Sequence, residues 1–232
     1  MIYFRVNLEN MNVRVLVVID DAFEMSTLVA ALRLHDIDVI AEAKSESVGM
    51  NLLRRLQPDV VLLDMNVVGT SAVKIAASMR KVNPLIGIVI LTSCPDFRLM
   101  GESNDEVPTG AKILVKKSIV DFTVLCDAIR ESKIAAVEKH KVTWINGNTS
   151  FHDQGVATLM AHLTNTQAEV LRLVADGMTN AQIGRTRYVS EKSVEQVISR
   201  VAQELHVQPD HNKNMRVQLV GEYYRWLGAP HH

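Results

Sequence analysis

Three carboxylates, a hydroxyl and an ammonium mark the first half of the chain: the adjacent pair Asp20 and Asp21, then Asp64, Thr92, and Lys116 with Lys117 beside it. Each follows or closes a short apolar run, so the same kind of position recurs with a different reactive group. Carboxylates gathered at one place repel one another unless a cation shares them, and hard oxygen ligands suit Mg2+. Such an ion would join a carboxylate nucleophile to an incoming phosphoryl group and offset their charges. A hydroxyl and an ammonium nearby would bind the phosphoryl oxygens. Together these groups have the chemistry to form and hold an aspartyl phosphate.

The elements that must position them are legible in the apolar pattern. Short runs fall at 15–19, 38–43, 59–63, 86–91 and 113–115, with helical stretches at 23–34, 46–56 and 71–82 between them and one at 120–130 after them. Strands that are apolar throughout and alternate with helices imply a parallel sheet covered on both faces. Five such units predict an α/β, flavodoxin-like, doubly wound fold, whose site lies beyond the carboxyl ends of its strands. The fourth connection, 95–108, contains Pro95, Gly101 and Pro108 among other turn formers, which predicts a loop or one short helix. Residues 132–161 have mixed composition and form the expected connection. Within it 142–145 suits a short strand or extended chain, and Asn146-Gly147-Asn148 is a turn signal.

The second half reads differently. Thr164 precedes Gln167 by three residues and Thr179 precedes Gln182 by three, the spacing of capping boxes. Gly177 stands where the first of these helices should stop, and Ser190 opens a third helix as its N-cap. On that third helix Val194, Val197, Ile198, Val201 and Leu205 share one face, while Lys192, Glu195, Gln196, Ser199, Arg200 and Gln203 share the other. A short helix, a tight turn and a longer helix with one polar face is what entry into a DNA major groove requires. This half is therefore expected to be all-α.

Residues 163–207 resemble the LuxR-type helix-turn-helix domain through Leu163-Thr164, Glu169-Val170-Leu171, Gly177, Thr179-Asn180, Ile183, Val189-Ser190-Glu191-Lys192, Val194, Leu205 and Val207. Glu195 departs from it, standing where that family usually carries a Lys; so do Val197, in place of a frequent His, and Arg187, in place of an apolar residue. Residues 13–130 resemble the receiver domain of bacterial response regulators. That resemblance makes Asp64 the phosphoacceptor, Asp20 and Asp21 the acidic pair, and Gly69 the glycine five residues on from Asp64. It implies Mg2+ held by Asp20, Asp21, Asp64 and the backbone carbonyl of Asn66. It makes Thr92 the switch hydroxyl and Lys116, or Lys117 after a one-residue slip, the phosphate-pairing lysine. Ile113 or Leu114 stands where many receivers have an aromatic switch residue.

Together the halves resemble a NarL/FixJ-type response regulator: a receiver at 1–131, a linker at 132–161 and a helix-turn-helix domain at 162–232. The resemblance implies a sensor histidine kinase as phosphodonor, promoter DNA as target, a homodimer as active form, and DNA contacts from Lys192, Gln196, Ser199 and Arg200. An atypical regulator that binds DNA without phosphotransfer fits the same residues, as does an adaptor whose helical domain no longer touches DNA. A phosphatase working through an aspartyl phosphate fits poorly. It would need a second acid two residues after the nucleophile, where Asn66 stands.

The whole-chain properties agree. The 232 residues suffice for two domains, and 47% apolar content supports real cores. A net charge of −1 makes any nucleic-acid surface a local feature. From residue 160 onward eight Lys and Arg face seven Asp and Glu, so a single domain is expected to bind DNA weakly and a dimer to be needed. Two cysteines, Cys94 and Cys126, are too few for a disulfide framework and fit a reducing cytoplasm. Apolar runs are too short for a membrane span, and the first residues lack the pattern of a signal peptide.

Overall fold

The computed structural model describes residues 12–67, 70–119, 121–145, 162–207 and 214–227. The chain divides into two compact units. One holds Met1–Thr92 and Asp105–Asn148, the other Ser93–Asn104 and Thr149–His232.

The first unit is built around a parallel sheet. Its elements run β1 (Arg14–Val18), α1 (Ala22–Leu34), β2 (Asp38–Ala43), α2 (Glu46–Leu56), β3 (Val60–Asp64), the short pair β4 (Asn66–Val67) and β5 (Thr70–Ser71), α3 (Ala72–Val82), β6 (Gly87–Thr92), β7 (Lys112–Val115), α4 (Phe122–Val137) and β8 (Thr143–Ile145). The sheet order is β2-β1-β3-β6-β7-β8, every neighbouring pair parallel. Strands β3 and β6 are buried at every residue, which is why they read as continuous apolar runs rather than alternating ones. The connection at 95–108 holds two short 3-10 turns, Phe97–Met100 and Asn104–Glu106, where the prolines and Gly101 deny it a regular helix.

The sheet has six strands, not the expected five, and the sixth comes from the stretch read as linker. α4 runs on to Val137, seven residues past the predicted end at 130. Lys139 then takes a left-handed conformation, and the chain returns beside β7 with Ile113 opposite Trp144 and Leu114 opposite Ile145. A helix crossover that ends in a parallel neighbour is the favoured connection for such a sheet. The unit therefore extends past 131. The turn signal at Asn146-Gly147-Asn148 lies outside the described residues, as does Gly69.

α4 lies very close to the sheet. A Cβ on Gly87 would sit 2.6 Å from Ser132 Oγ and 2.8 Å from the Lys133 backbone nitrogen. Gly87→Ala is thus an overpacking change that must push α4 away, at a cost of about 1–3 kcal/mol. Urea unfolding of the first unit measures it; an unchanged midpoint would mean the helix is not seated this tightly.

The second unit contains α5 (Asn165–Ala175), α6 (Asn180–Arg187), α7 (Glu191–Glu204) and α8 (Met215–Trp226). Both capping boxes form as read. The Thr164 hydroxyl accepts from the Gln167 backbone N–H while Gln167 Oε1 accepts from the Thr164 N–H at 2.8 Å, and Thr179 and Gln182 repeat the arrangement. Gly177, at φ +82°, ends the first of these helices. α8 was not anticipated. Asn214 caps it, and Leu219, Tyr223 and Trp226 carry its buried face.

Segment Ser93–Asn104 belongs to this second unit, although its sequence position placed it in the first. Leu99 is fully buried in the same cluster as Leu163, Leu171, Val174, Leu219, Tyr223 and Trp226. The Tyr223 hydroxyl donates to the Leu99 carbonyl at 2.6 Å, and Arg98 Nη1 donates to the Leu163 carbonyl at 2.7 Å. Arg98 also closes on Asp96, which neutralises that buried carboxylate.

Cys94, in this segment, is a buried thiol whose Sγ donates to the Asp96 carbonyl at 3.0 Å. Burial pushes its pKa up to about 12, with the nearby Asp96 charge adding to the rise. The thiol therefore stays protonated at pH 8 and should resist alkylation in the native protein, yet label fully in denaturant. Peptide mass mapping after timed alkylation reads this, and rapid native labelling would show that the segment is not held.

Candidate functional site

Parallel pairing brings the reactive positions to one edge of the first unit. Val18 of β1 pairs with Leu63 of β3, Asp64 pairs with Leu91 of β6, and Thr92 pairs with Val115 of β7. Asp64 thus ends β3, Thr92 ends β6, Lys116 follows β7 directly, and Asp20 lies two residues beyond β1. Asp64 and Thr92 are buried, at 5% and 1% exposure.

The ammonium of Lys116 reaches into this edge. Its Nζ lies 2.8 Å from Asp64 Oδ1 and 2.7 Å from Glu24 Oε1, while Lys117 is exposed. Of the two lysines in this loop, Lys116 is the one whose ammonium meets Asp64. Burial by itself pushes this lysine's pKa down. The contacts with the Asp64 and Glu24 carboxylates, and their charges, more than offset it and hold the ammonium above its ordinary range. Lys116 approaches Asp64 Oδ1 off the line a hydrogen bond needs, so this buried oxygen has a counter-charge but no well-directed donor.

Asp21 is exposed and caps α1: its Oδ1 accepts from the Glu24 backbone N–H at 2.7 Å. Glu24 is therefore placed by a cap and in turn holds Lys116. Glu24 did not figure among the expected site residues, although Asp21-Ala22-Phe23-Glu24 has the spacing of a capping box and could have drawn attention to it. Asn66 lies in the β4–β5 ladder, its backbone opposite Ser71. Among the described residues no group of three or more His, Cys, Asp or Glu is assembled closely enough to hold a metal ion. The expected gathering of Asp20, Asp21 and Asp64 is thus not preformed: Asp21 has turned one oxygen to its helix, and the charge of Asp64 is met by Lys116. The donors are all oxygen atoms and one of them is a buried oxygen without a directed partner, which is the chemistry a hard divalent cation accepts. Ile113 and Leu114, the aliphatic residues at the usual aromatic switch position, are both fully buried.

In the second unit, α7 buries Val194, Ile198, Val201 and Ala202 and exposes Lys192, Gln196, Ser199 and Arg200 together with Glu195. Gly184 permits the tight joint before it, since a Cβ there would sit 2.7 Å from the Val189 carbonyl oxygen. Arg187, which takes a usually apolar position, is paired with Glu169 and reaches the Thr166 hydroxyl at 3.3 Å. Its charge is used inside the domain. On α7 itself, two exposed cations, Lys192 and Arg200, face three exposed anions, Glu191, Glu195 and Glu204.

Comparison with known proteins adds independent support. Residues 15–130 match the family model for the response regulator receiver domain, and residues 161–213 match that for bacterial regulatory proteins of the luxR family. The transcriptional regulatory protein LiaR of Bacillus subtilis (strain 168) is 29% identical over 206 residues, covering 84% of this chain and 92% of that protein. The transcriptional regulatory protein DegU of Brevibacillus brevis is 25% identical, covering 81% of this chain and 82% of that protein. Among solved structures, the two-component response regulator RcsB in complex with DNA superposes with a TM-score of 0.55 at 18% identity. It covers 94% of this chain and 100% of that chain, a likeness of fold.

Proposed function

Because the chain belongs to the response regulators of the NarL/FixJ type, with a receiver domain followed by a LuxR-type helix-turn-helix domain, we propose that it is a transcriptional regulator whose DNA binding is controlled by phosphorylation of Asp64. The observation that carries this reading is the Lys116 ammonium 2.8 Å from the buried Asp64 carboxylate, at the sheet edge where β6 also ends in Thr92. Asp64 supplies the nucleophilic oxygen. Lys116 neutralises charge on the phosphoryl oxygens, and the Thr92 hydroxyl donates to them once the group is in place. Asp20, Asp21, Asp64 and the carbonyl of Asn66 would hold Mg2+. When bound, that ion offsets the charge of the carboxylate and of the phosphoryl group. The new dianion draws Thr92 and Lys116 inward and biases a two-state surface.

Its donor is a sensor histidine kinase, its target promoter DNA, and its active form a homodimer in the cytoplasm. Among the described residues no helix is long and apolar enough to cross a membrane. The slight excess of anions on α7 supports dimerisation, since one copy offers little non-specific attraction and two half-sites must act together. Lys192, Gln196, Ser199 and Arg200 contact DNA. This is regulation rather than enzymatic turnover, with Asn66 at the position where a phosphatase needs its acid.

Selection of bound DNA from a random pool tests the proposal, with and without an acyl phosphate and Mg2+ and in parallel for Asp64→Ala. A two-half-site sequence enriched more strongly with the donor, and not by the variant, is expected. Equal enrichment in all arms would identify a regulator that ignores Asp64, and no enrichment would favour a protein-protein adaptor.

A further inference from the structure

We propose that Glu24 is a positioning residue of the phosphoryl site, its carboxylate holding the Lys116 ammonium in competition with the incoming phosphoryl group. The inference rests on the phosphotransfer reading above and extends it to a residue that reading does not use. One ammonium is shared by two carboxylates, with Nζ 2.7 Å from Glu24 Oε1 and 2.8 Å from Asp64 Oδ1. Glu24 is fixed in the first turn of α1, where its own backbone N–H is anchored on Asp21 Oδ1 at 2.7 Å. The same turn therefore carries a proposed metal ligand and the tether of the phosphate-binding lysine.

The consequence follows from charge. During transfer from an acyl phosphate, an Asp64 carboxylate oxygen attacks phosphorus. The new O–P bond forms as the P–O bond to the acyl group breaks, and the carboxylate departs with the bonding pair. No proton moves. The phosphoryl oxygens need the Lys116 ammonium at that moment, yet Glu24 already occupies part of it and adds a negative charge beside the approaching dianion. Glu24 thus weakens the hold on the donor and on the product phosphoryl group, while keeping the lysine aimed at Asp64 when no phosphoryl group is there.

The test compares the full chain with Glu24→Gln and Glu24→Asp. Phosphoryl uptake from an acyl phosphate at saturating Mg2+ is followed by intact mass. Glu24→Gln should lower the KM for the donor about two- to fivefold, the scale of one partly exposed ion pair, with the limiting rate little changed. Glu24→Asp, which keeps the charge, should behave like the parent chain. A metal-free readout accompanies it. Acylation of Lys116 by an amine-directed reagent, mapped by peptide mass, should increase in Glu24→Gln relative to Lys117 in the same sample. An unchanged or raised KM together with unchanged Lys116 labelling would overturn the role of Glu24 and leave the phosphotransfer reading intact. Failure of the parent chain itself to take up phosphoryl would remove that reading, and this inference with it.

Discussion

Asp64→Asn should reduce phosphoryl uptake from an acyl phosphate to background, a loss on the order of 10³-fold or more, as when a nucleophile is removed outright. The amide is nearly isosteric but has no negative oxygen to attack phosphorus. The substitution should leave the fold in place. Lys116 keeps Glu24 at 2.7 Å, so removing the Asp64 charge does not strand an ammonium without a partner. Intact mass after incubation with donor and Mg2+ measures the loss, and circular dichroism of the same sample checks the fold. Uptake that survives in Asp64→Asn would assign the phosphoryl group to another residue.

Leu99→Ala should strongly destabilise the second unit. The side chain is fully buried among helices α5 and α8, and its loss removes apolar contact and leaves a cavity, together worth about 2–5 kcal/mol. A segment numbered within the receiver-like half would thereby destabilise the helical half. The two tryptophans make this separable, because Trp144 lies on β8 of the first unit and Trp226 on α8 of the second. With Trp144→Phe as background, the Trp226 transition in urea should move to lower denaturant. With Trp226→Phe as background, the Trp144 transition should stay. Tyr223→Phe, which deletes the donor to the Leu99 carbonyl, should cost less, about 1 kcal/mol. A shift confined to Trp144 would contradict the placement of Leu99.

What could be read from the residues alone divides by the range of the interaction. Signals that act over three or four residues were legible: the Thr164/Gln167 and Thr179/Gln182 capping boxes, the Ser190 cap, and the apolar stripe of α7 all appear where the spacing put them. The buried strands were legible because a parallel sheet covered on both faces demands uninterrupted apolar runs. β8 was only suggested, since three residues carry no periodicity and what makes them a strand is the β7 edge they pair with. α8 was missed because it lies beyond the span that resembled a known pattern, although Asn214 and the Leu219–Tyr223–Trp226 spacing were there to be read.

The site divides in the same way. Asp64, Thr92 and Lys116 could be placed at one edge from strand ends alone. That Lys116 rather than Lys117 meets Asp64 required coordinates, because it depends on which side chain turns inward from a 3-10 turn. The capping spacing marks Glu24 only as a helix-start residue; its contact with Lys116 spans 92 positions of sequence and shows only in the fold. The capping of α1 by Asp21 gives one carboxylate at this edge a structural task.

The most direct measurement is a titration of the intact chain against a fluorescent duplex bearing its selected sequence, by anisotropy at fixed salt, with and without acyl phosphate and Mg2+. The donor should tighten binding at least several-fold in the parent chain and have no effect on Asp64→Asn. Identical affinities with and without the donor, in a protein shown by mass to carry the phosphoryl group, would contradict it.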